Sequence, residues 1–269
     1  MLDLFNIPTP QTANYQEFYG NTSGRIDKTW VKPRGCSMVR FLLIGAGGAG
    51  GNGSSSAGGG GGGSGAVTSW IGPAMFVPDI LGILAPQPGP SGFTAEGASI
   101  YYKGSNGDNE LLRADGGGVG QTSAGGSGAS PMPANQFTAC GIFTSIAGQG
   151  GAAGNATGAG TAVGASSTTF LGGGAGGSGG AASVGGGVTP NYGYTALPST
   201  TAGGTVKGAD GYFITQPILL GLGGAGGTTS TTVGTGGGRG GIGCGGGGSG
   251  EDGNSGGRGG DGAVFIWAW

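Results

Sequence analysis

Histidine is absent from this chain of 269 residues, and charged residues make up only 8% of it. Without histidine a catalytic serine or cysteine lacks its usual base, and the few carboxylates are scattered along the sequence. The net charge of −2 offers no basic field that would attract nucleic acid or an anionic membrane. The composition therefore argues against an enzyme, and it argues equally against a nucleic-acid-binding protein.

Cysteine is scarce as well, with three widely separated thiols at Cys36, Cys140 and Cys244. This odd number and spacing gives neither a disulfide framework nor a CxxC metal site, so we interpret the cysteines as small buried residues. We predict no catalytic residue, no metal and no cofactor. Long apolar runs are also lacking, so no membrane insertion is expected. The first residues, with Asp3 among them, do not form a secretory signal, which favours assembly in a cytoplasm.

Charged residues near the C-terminal end raise the question of an ion site. Glu251, Asp252, Arg258 and Asp261 lie close together in sequence. Several carboxylates are typical of a calcium site, whereas solvated turns with a local Arg–Asp pair need no ion. We favour the second interpretation. Arg239, which also interrupts a glycine tract, is expected to form a salt bridge or to cap the end of a tract.

Glycine is the residue that the chain has in abundance, with 76 copies beside 4 Trp, 7 Tyr and 10 Phe. Glycine loses more backbone entropy on folding than any other residue, so disorder is the first interpretation to weigh. Disordered segments are poor in aromatic residues, however, and here apolar residues cluster in short runs between the glycine tracts. A folded scaffold is therefore predicted.

The glycine tracts admit three structural interpretations. A collagen helix needs glycine strictly at every third position with abundant proline, and neither condition holds. Flexible linkers would leave little to hold the apolar segments together. Polyglycine II helices are extended, with three residues per turn, and can hydrogen-bond through their backbones where no side chain intervenes. We favour packed polyglycine II for the tracts at 45–65, 116–128, 172–180, 221–227 and 236–262.

Two hydrophobic runs predict strands at 38–44 and 263–269, and we expect these strands to lie close together and to pair. Five prolines argue against a central strand over most of 72–90. A short turn of helix is compatible with residues 79–84. The predicted fold class is mainly β, a small sheet or sandwich with packed polyglycine II segments and very little helix.

The order of these features resembles the glycine-rich domain of bacteriophage virion proteins, chiefly tail-fibre and minor tail proteins. It is also similar in character to tail-fibre tip adhesins that contain a polyglycine II sandwich. The residues that carry the resemblance span about 29–269. They are the entry Trp30-x-x-Pro33-x-Gly35, the strand end LIGAGG at 43–48, TTFLGGG at 168–174 and GGRGGDGAVFIWAW at 256–269.

The resemblance implies a structural virion protein, a tail fibre, spike or receptor-binding tip that mediates host attachment and is located in the virion. By analogy it also implies a homotrimer, contacts with other virion proteins and a host-surface receptor. The family carries no defined catalytic residues. Two alternatives stay open. One is a head fibre, decoration or capsid-associated protein, and the other is a cellular glycine-rich surface or ice-binding protein.

Residues 1–29 contain only two glycines, and we interpret them as an N-terminal attachment segment ahead of a glycine-rich domain at 30–269. Aromatic side chains on exposed loops are good anchors for glycans or protein receptors. Candidates for docking in the first segment are Tyr15, Phe18 and Tyr19. Candidates for receptor or partner contact in the domain are Tyr101, Tyr102, Tyr192 and Tyr194. The aromatic residues expected in the core are Trp30, Phe41, Phe265 and Trp267.

Overall fold

The computed structural model describes residues 14–20, 26–89, 94–104, 107–164, 166, 168–179, 183–189, 197, 207–214, 219–229, 234–252 and 255–269. In this part the chain forms three antiparallel sheets, and its helices are 3₁₀ turns at Ala74–Phe76 and Thr138–Cys140. The strands are β1 (Asn14–Tyr19), β2 (Ile26–Val31), β3 (Met38–Ile44), β4 (Val67–Pro73), β5 (Ile80–Ala85), β6 (Ala98–Gly104), β7 (Gly107–Ala114), β8 (Ile142–Ile146), β9 (Phe213–Ile214), β10 (Leu220–Gly221) and β11 (Ala263–Ala268).

Two of the sheets pack face to face as a sandwich. The five-stranded sheet has the order β1-β11-β3-β4-β8, and the four-stranded sheet has the order β2-β5-β6-β7. Their facing side chains form the main hydrophobic core, where Trp30, Phe41 and Trp70 are buried. Trp30 meets Phe41 edge-on with ring centroids 5.9 Å apart, and Phe41 stacks on Trp70 at 5.8 Å. Large aromatic side chains thus form a hydrophobic core, which glycine, having no side chain, cannot form.

The predicted pairing of the two hydrophobic end runs is confirmed. β3 and β11 are antiparallel neighbours, with Ile44 opposite Ala263 and Val39 opposite Ala268. β1 pairs with the other side of β11, so residues 14–19 are an edge strand of this sheet. β2 is likewise an edge strand of the second sheet. An attachment role for residues 1–29 stays a prediction.

The prediction against a central strand over most of 72–90 is wrong for β5, which lies between β2 and β6 in the four-stranded sheet. Pro78 and Pro86 fall outside its bounds, so no proline removes a hydrogen bond from its ladders. Alternate residues of β5 enter the core, and this burial stabilises a strand in the range 79–84, with which a short turn of helix was also compatible. Those core residues are Leu81, Ile83 and Ala85.

The glycine tracts pack as extended helices whose hydrogen bonds repeat every three residues. Tract 58–66 shows the pattern most fully. Its amides at 58, 61 and 64 donate to residues 149–155, those at 59, 62 and 65 to residues 243–249, and those at 60, 63 and 66 to residues 115–121. All of these N···O distances lie between 2.7 and 2.9 Å. One helix therefore donates to three different tracts.

The carbonyls of tract 58–66 accept hydrogen bonds from three further tracts, at 45–51, 126–129 and 174–177. The helix therefore has six neighbours, three through its donors and three through its acceptors. Tracts 172–179 and 244–251 have comparable surroundings, and both contact tract 58–66 and each other. This hexagonal packing, which we call the glycine lattice, is the polyglycine II arrangement that the sequence predicts.

Glycine is required in the glycine lattice because the backbones approach too closely for a side chain. A Cβ atom at Gly61 would overlap the carbonyl of Gly174, and one at Gly248 would overlap the carbonyl of Gly59. Positive φ is not the reason, since among the described residues of the tracts only Gly243 and Asp252 adopt it. Many of the other residues in the tracts are small, and fully buried examples are Ala46, Ala49, Ser64, Ala175, Ser178, Ala225 and Ser249.

The substitution Gly61→Ala should lower the free energy of unfolding by about 1–3 kcal/mol, the usual cost of overpacking. The new methyl group would overlap backbone atoms that two other tracts hold in place. Gly164→Ala is the matched control, because no atom lies within 4 Å of a Cβ at that position. It should be neutral or slightly stabilising. Urea denaturation measures both effects, and equal destabilisation by the two variants would contradict the packing described above.

The expectation that the cysteines are buried holds for Cys244 alone, since Cys36 and Cys140 are only partly buried. Burial raises the pKa of the Cys244 thiol to about 12. At pH 8 a thiol reagent should therefore label Cys36 and Cys140 in the native protein and label Cys244 only after denaturation. Peptide mass spectrometry reads out the sites. Rapid labelling of Cys244 in native protein would show that the glycine lattice opens readily.

Candidate functional site

The outer face of the five-stranded sheet, which is turned away from the sandwich core, carries a row of aromatic side chains. In β11 alternate residues fill the core, so Phe265 and Trp267 belong to the opposite face. The register places Tyr15 of β1 opposite Trp267 and Glu17 opposite Phe265. We call the set Tyr15, Tyr19, Phe265 and Trp267 the aromatic ladder.

Ring contacts link the aromatic ladder along its whole length. The ring centroids are 5.2 Å apart for Tyr15–Trp267, 5.7 Å for Tyr19–Phe265 and 6.2 Å for Phe265–Trp267. These separations lie within the range of about 4.5–7 Å that favours aromatic pairs. Tyr15 and Tyr19 are 39% and 42% exposed, whereas Phe265 is buried. The ladder therefore presents two accessible tyrosines on a firmly packed base.

Two charged side chains contact the aromatic ladder. Glu17 lies between the tyrosines, and its Oε2 atom accepts hydrogen bonds from Tyr15 at 3.0 Å and from Tyr19 at 2.9 Å. On the other side Arg40 of β3 pairs with Trp267, and its guanidinium carbon lies 5.0 Å from the ring centroid. That distance is within reach of a cation–π interaction. The face thus combines aromatic rings with hydrogen-bond acceptors and donors, a set suited to binding.

Burial and the neighbouring Glu17 determine how the two tyrosines titrate. Burial first, and then the hydrogen bond to Glu17 and its negative charge, raise the pKa of Tyr19 to about 12. The same causes raise the pKa of Tyr15 still further above the ordinary tyrosine value. Both phenols therefore stay protonated at neutral pH.

The docking candidates of the first segment divide between two faces of β1. Tyr15 and Tyr19 lie on the aromatic ladder, whereas Phe18 packs against the main core of the sandwich. Strand alternation explains the division, because neighbouring residues point to opposite faces. A docking role for these residues stays a prediction.

The candidate contacts Tyr101 and Tyr102 lie in β6, on the other sheet of the sandwich. The Tyr101 ring covers Gly82 of β5, where an added Cβ would overlap it. Tyr101 also lines a shallow groove of about 410 Å³ with Lys28 and Lys103, and Tyr102 is 37% exposed. Their role in receptor contact stays a prediction. Tyr192 and Tyr194 lie outside the described residues.

The prediction that aromatic residues are buried in the core is confirmed for Trp30, Phe41 and Phe265, each at most 3% exposed. Trp267 differs, since it is only partly buried and lies on the outer face. Glu17 and Arg40 were not among the candidate residues. Alternation within AVFIWA indicates that Phe265 and Trp267 share a face, but only the register reveals which charged residues lie beside them.

The part of the chain that the structure describes shows neither a cluster of metal ligands nor a membrane-spanning helix. Among those residues no group of three or more His, Cys, Asp and Glu side chains lies close enough to hold a metal ion. The calcium interpretation of Glu251, Asp252 and Asp261 therefore gains no support from the described residues. In the same ranges no helix has the length and apolar character needed to span a bilayer.

Comparison with known proteins identifies one sequence family. Its description is a glycine-rich domain, and the match spans residues 21–269. A search among curated proteins found no match to the chain. The family match therefore covers the glycine lattice, the whole four-stranded sheet and every strand of the five-stranded sheet except β1.

The raised tyrosine pKa values predict a loss of stability at high pH. Because the folded protein favours the neutral phenols, their contribution is present below about pH 10, the ordinary tyrosine pKa, and is lost as the pH rises towards 12. The double variant Tyr15→Phe/Tyr19→Phe should lose less unfolding free energy than the unsubstituted protein between pH 9.5 and 11.5. Urea denaturation at both pH values tests this. Tyr102→Phe is the control, and an unchanged pH dependence in the double variant would contradict the assignment.

Proposed function

We propose that this chain, which belongs to the glycine-rich domain family, is a non-enzymatic structural protein of a bacteriophage particle. In this proposal it works as a tail fibre, a spike or a receptor-binding tip in host attachment. The glycine lattice supports the proposal most. It is a scaffold held by backbone hydrogen bonds between tracts, and such a scaffold can present a fixed surface without a catalytic centre.

The aromatic ladder, with its two exposed tyrosines, supports the attachment part of the proposal. Aromatic and arginine side chains contribute strongly to binding surfaces, and here Tyr15, Trp267 and Arg40 lie side by side. The tyrosine hydroxyls are held by Glu17, so their rotamers are largely ordered before any partner arrives. A preordered surface loses less entropy when it binds.

Self-association is the second part of the proposal, with a homotrimer as the expected state. Glycine helices at the edge of the glycine lattice have fewer neighbours than the central tract. At Gly150 and Gly164, for example, an added Cβ would meet no atom closer than 3.5 Å. A second copy of the chain can cover such edges with its own backbone.

Location in a particle can be tested with antibodies raised against the purified protein. Immunogold electron microscopy of phage particles from the strain that carries the gene should place gold at the tail or its fibres. Particles that lack the gene are the control. Label on the head would favour a head fibre or decoration protein instead, and label confined to the cell surface would contradict a virion role.

The oligomeric state follows from light scattering of the purified protein at neutral pH. We expect a mass near three times 25.2 kDa, because edge tracts of the glycine lattice pair between copies. The mass should stay constant on tenfold dilution. A stable monomer would contradict the trimer and would favour a protein whose lattice edges are covered on the particle surface.

A further inference from the structure

A cleft of about 320 Å³ opens beside the five-stranded sheet, between the last glycine tracts and the segment that contains β9. Its walls carry charged, aromatic and apolar side chains together with the backbones of four glycines. The side chains are Asp210, Tyr212, Phe213, Arg239, Ile242 and Asp261. This volume is at the lower end of the range of about 300–1,000 Å³ that small-molecule sites occupy. The cleft therefore suits one small ring.

Asp261 is the group in the cleft whose hydrogen bonding is incomplete. Its Oδ1 atom is buried, yet none of the described residues donates to it, and the buried Nε atom of Arg258 has no acceptor among those residues either. Burial raises the pKa of Asp261, while the charges of Arg258 and Arg239 oppose that rise. A buried polar atom without a partner is costly. The Asp261 side chain as a whole is only partly buried and lines the cleft, so its carboxylate can meet a ligand there.

Asp210 is the other carboxylate of the cleft, and the protein engages its Oδ1 atom. Its Oδ1 atom accepts a hydrogen bond of 2.7 Å from the backbone amide of Arg239 and one of 3.0 Å from Lys207. Although burial acts to raise its pKa, these bonds and charges lower the pKa of Asp210 below its ordinary value. Asp210 therefore fixes the cleft wall, and Asp261 is the acceptor available to a ligand.

The cleft and the aromatic ladder are neighbours on one surface. Phe213 and Ile242 of the cleft pack against the cluster that also contains Phe265 and Trp267. Just after β1, the backbone amide of Gly20 donates to the carbonyl of Gly262 at 2.9 Å, and Tyr19 lies opposite Ala263 in the strand register. Tyr19 therefore lies beside the two residues that follow Asp261. A ligand that fills the cleft can therefore extend along the ladder.

We propose that the cleft binds one neutral hexopyranose residue of an oligosaccharide and that the aromatic ladder contacts the sugar residues that follow. A pyranose ring offers hydroxyl groups to carboxylate and guanidinium groups and an apolar C–H face to aromatic rings. The charged side chains that line the cleft are the carboxylates of Asp210 and Asp261 and the guanidinium of Arg239, and Lys207 pairs with Asp210 at 3.0 Å. The lining therefore carries no net positive charge that would attract an acid. A neutral sugar therefore fits better than an acidic one. This inference rests on the proposed function only for the source of the sugar, the host surface.

A glycan array tests the specificity with the full chain. The array should carry oligosaccharides of neutral hexoses and N-acetylhexosamines beside oligosaccharides that end in uronic or sialic acid. Binding is expected among the neutral oligosaccharides. Exclusive binding to the acidic ones would overturn the proposal, and so would the absence of any neutral oligosaccharide that binds at millimolar concentration in calorimetry.

Variants then locate the site, with the best neutral oligosaccharide of the array as the probe. Asp261→Asn should weaken binding about tenfold or more, because a charged acceptor is replaced by an amide. Arg239→Lys, which keeps the charge but loses the planar fork, should also weaken binding. Asp108→Asn, in the exposed β6–β7 hairpin, is the matched control and should bind normally. Unchanged affinity in both folded cleft variants would overturn the proposal.

Failure of this inference differs from failure of the proposed function. If gold label marks phage tails but no neutral oligosaccharide binds, the sugar site is wrong and the virion role stands. If neutral oligosaccharides bind and Asp261→Asn lowers their affinity, but particles carry no gold label, the sugar site stands and the virion role is wrong.

Discussion

Hydrogen bonds between the backbones of neighbouring glycine helices are the interaction on which the rest of the structure depends. An extended helix with three residues per turn makes no such bonds within itself, so each donor must find its partner in another tract. Tract 58–66 finds partners as distant as residues 243–249. Each tract is therefore ordered only when tracts far away in sequence are already in place, and folding of the glycine lattice must be strongly cooperative.

The sandwich provides what the glycine lattice lacks, namely large apolar side chains to bury. Ordering glycine costs more backbone entropy than ordering other residues, and glycine brings no side chain to offset that cost. β3 runs directly into the tract at 45, β4 begins after residue 66 and β11 begins after residue 262. Pairing of β3 with both β4 and β11 therefore fixes the ends of three tracts side by side. Hydrophobic burial in the sandwich thus positions the backbone hydrogen bonds of the glycine lattice.

Sequence reasoning identified the strands and the pairing that strong apolar runs indicate, and it failed where prolines masked a strand and where a partner depends on register or on tracts of similar composition. The runs at 38–44 and 263–269 are apolar enough to identify as paired strands, but β5 was missed because the flanking prolines outweighed its own alternation. The partners of each glycine tract could not be assigned, since tracts of the same composition carry no distinguishing side chains. A signal was present, however, because Ala46 and Ala49, like Ala175 and Ser178, are spaced by three. The same limit hid the neighbours of Trp267, which depend on strand register.

The glycine lattice also determines where recognition can take place. A side chain at an interior glycine would overlap a neighbouring backbone, and the other buried tract positions named above hold only alanine or serine. Large functional groups are therefore confined to helix faces at the edge and to the sheets. In the final tract Arg258 and Asp261 are three residues apart, and a helix with three residues per turn places both on one face. Glycines occupy the faces that other tracts approach. The geometry that demands glycine inside the lattice therefore also brings the charged pair together beside the cleft.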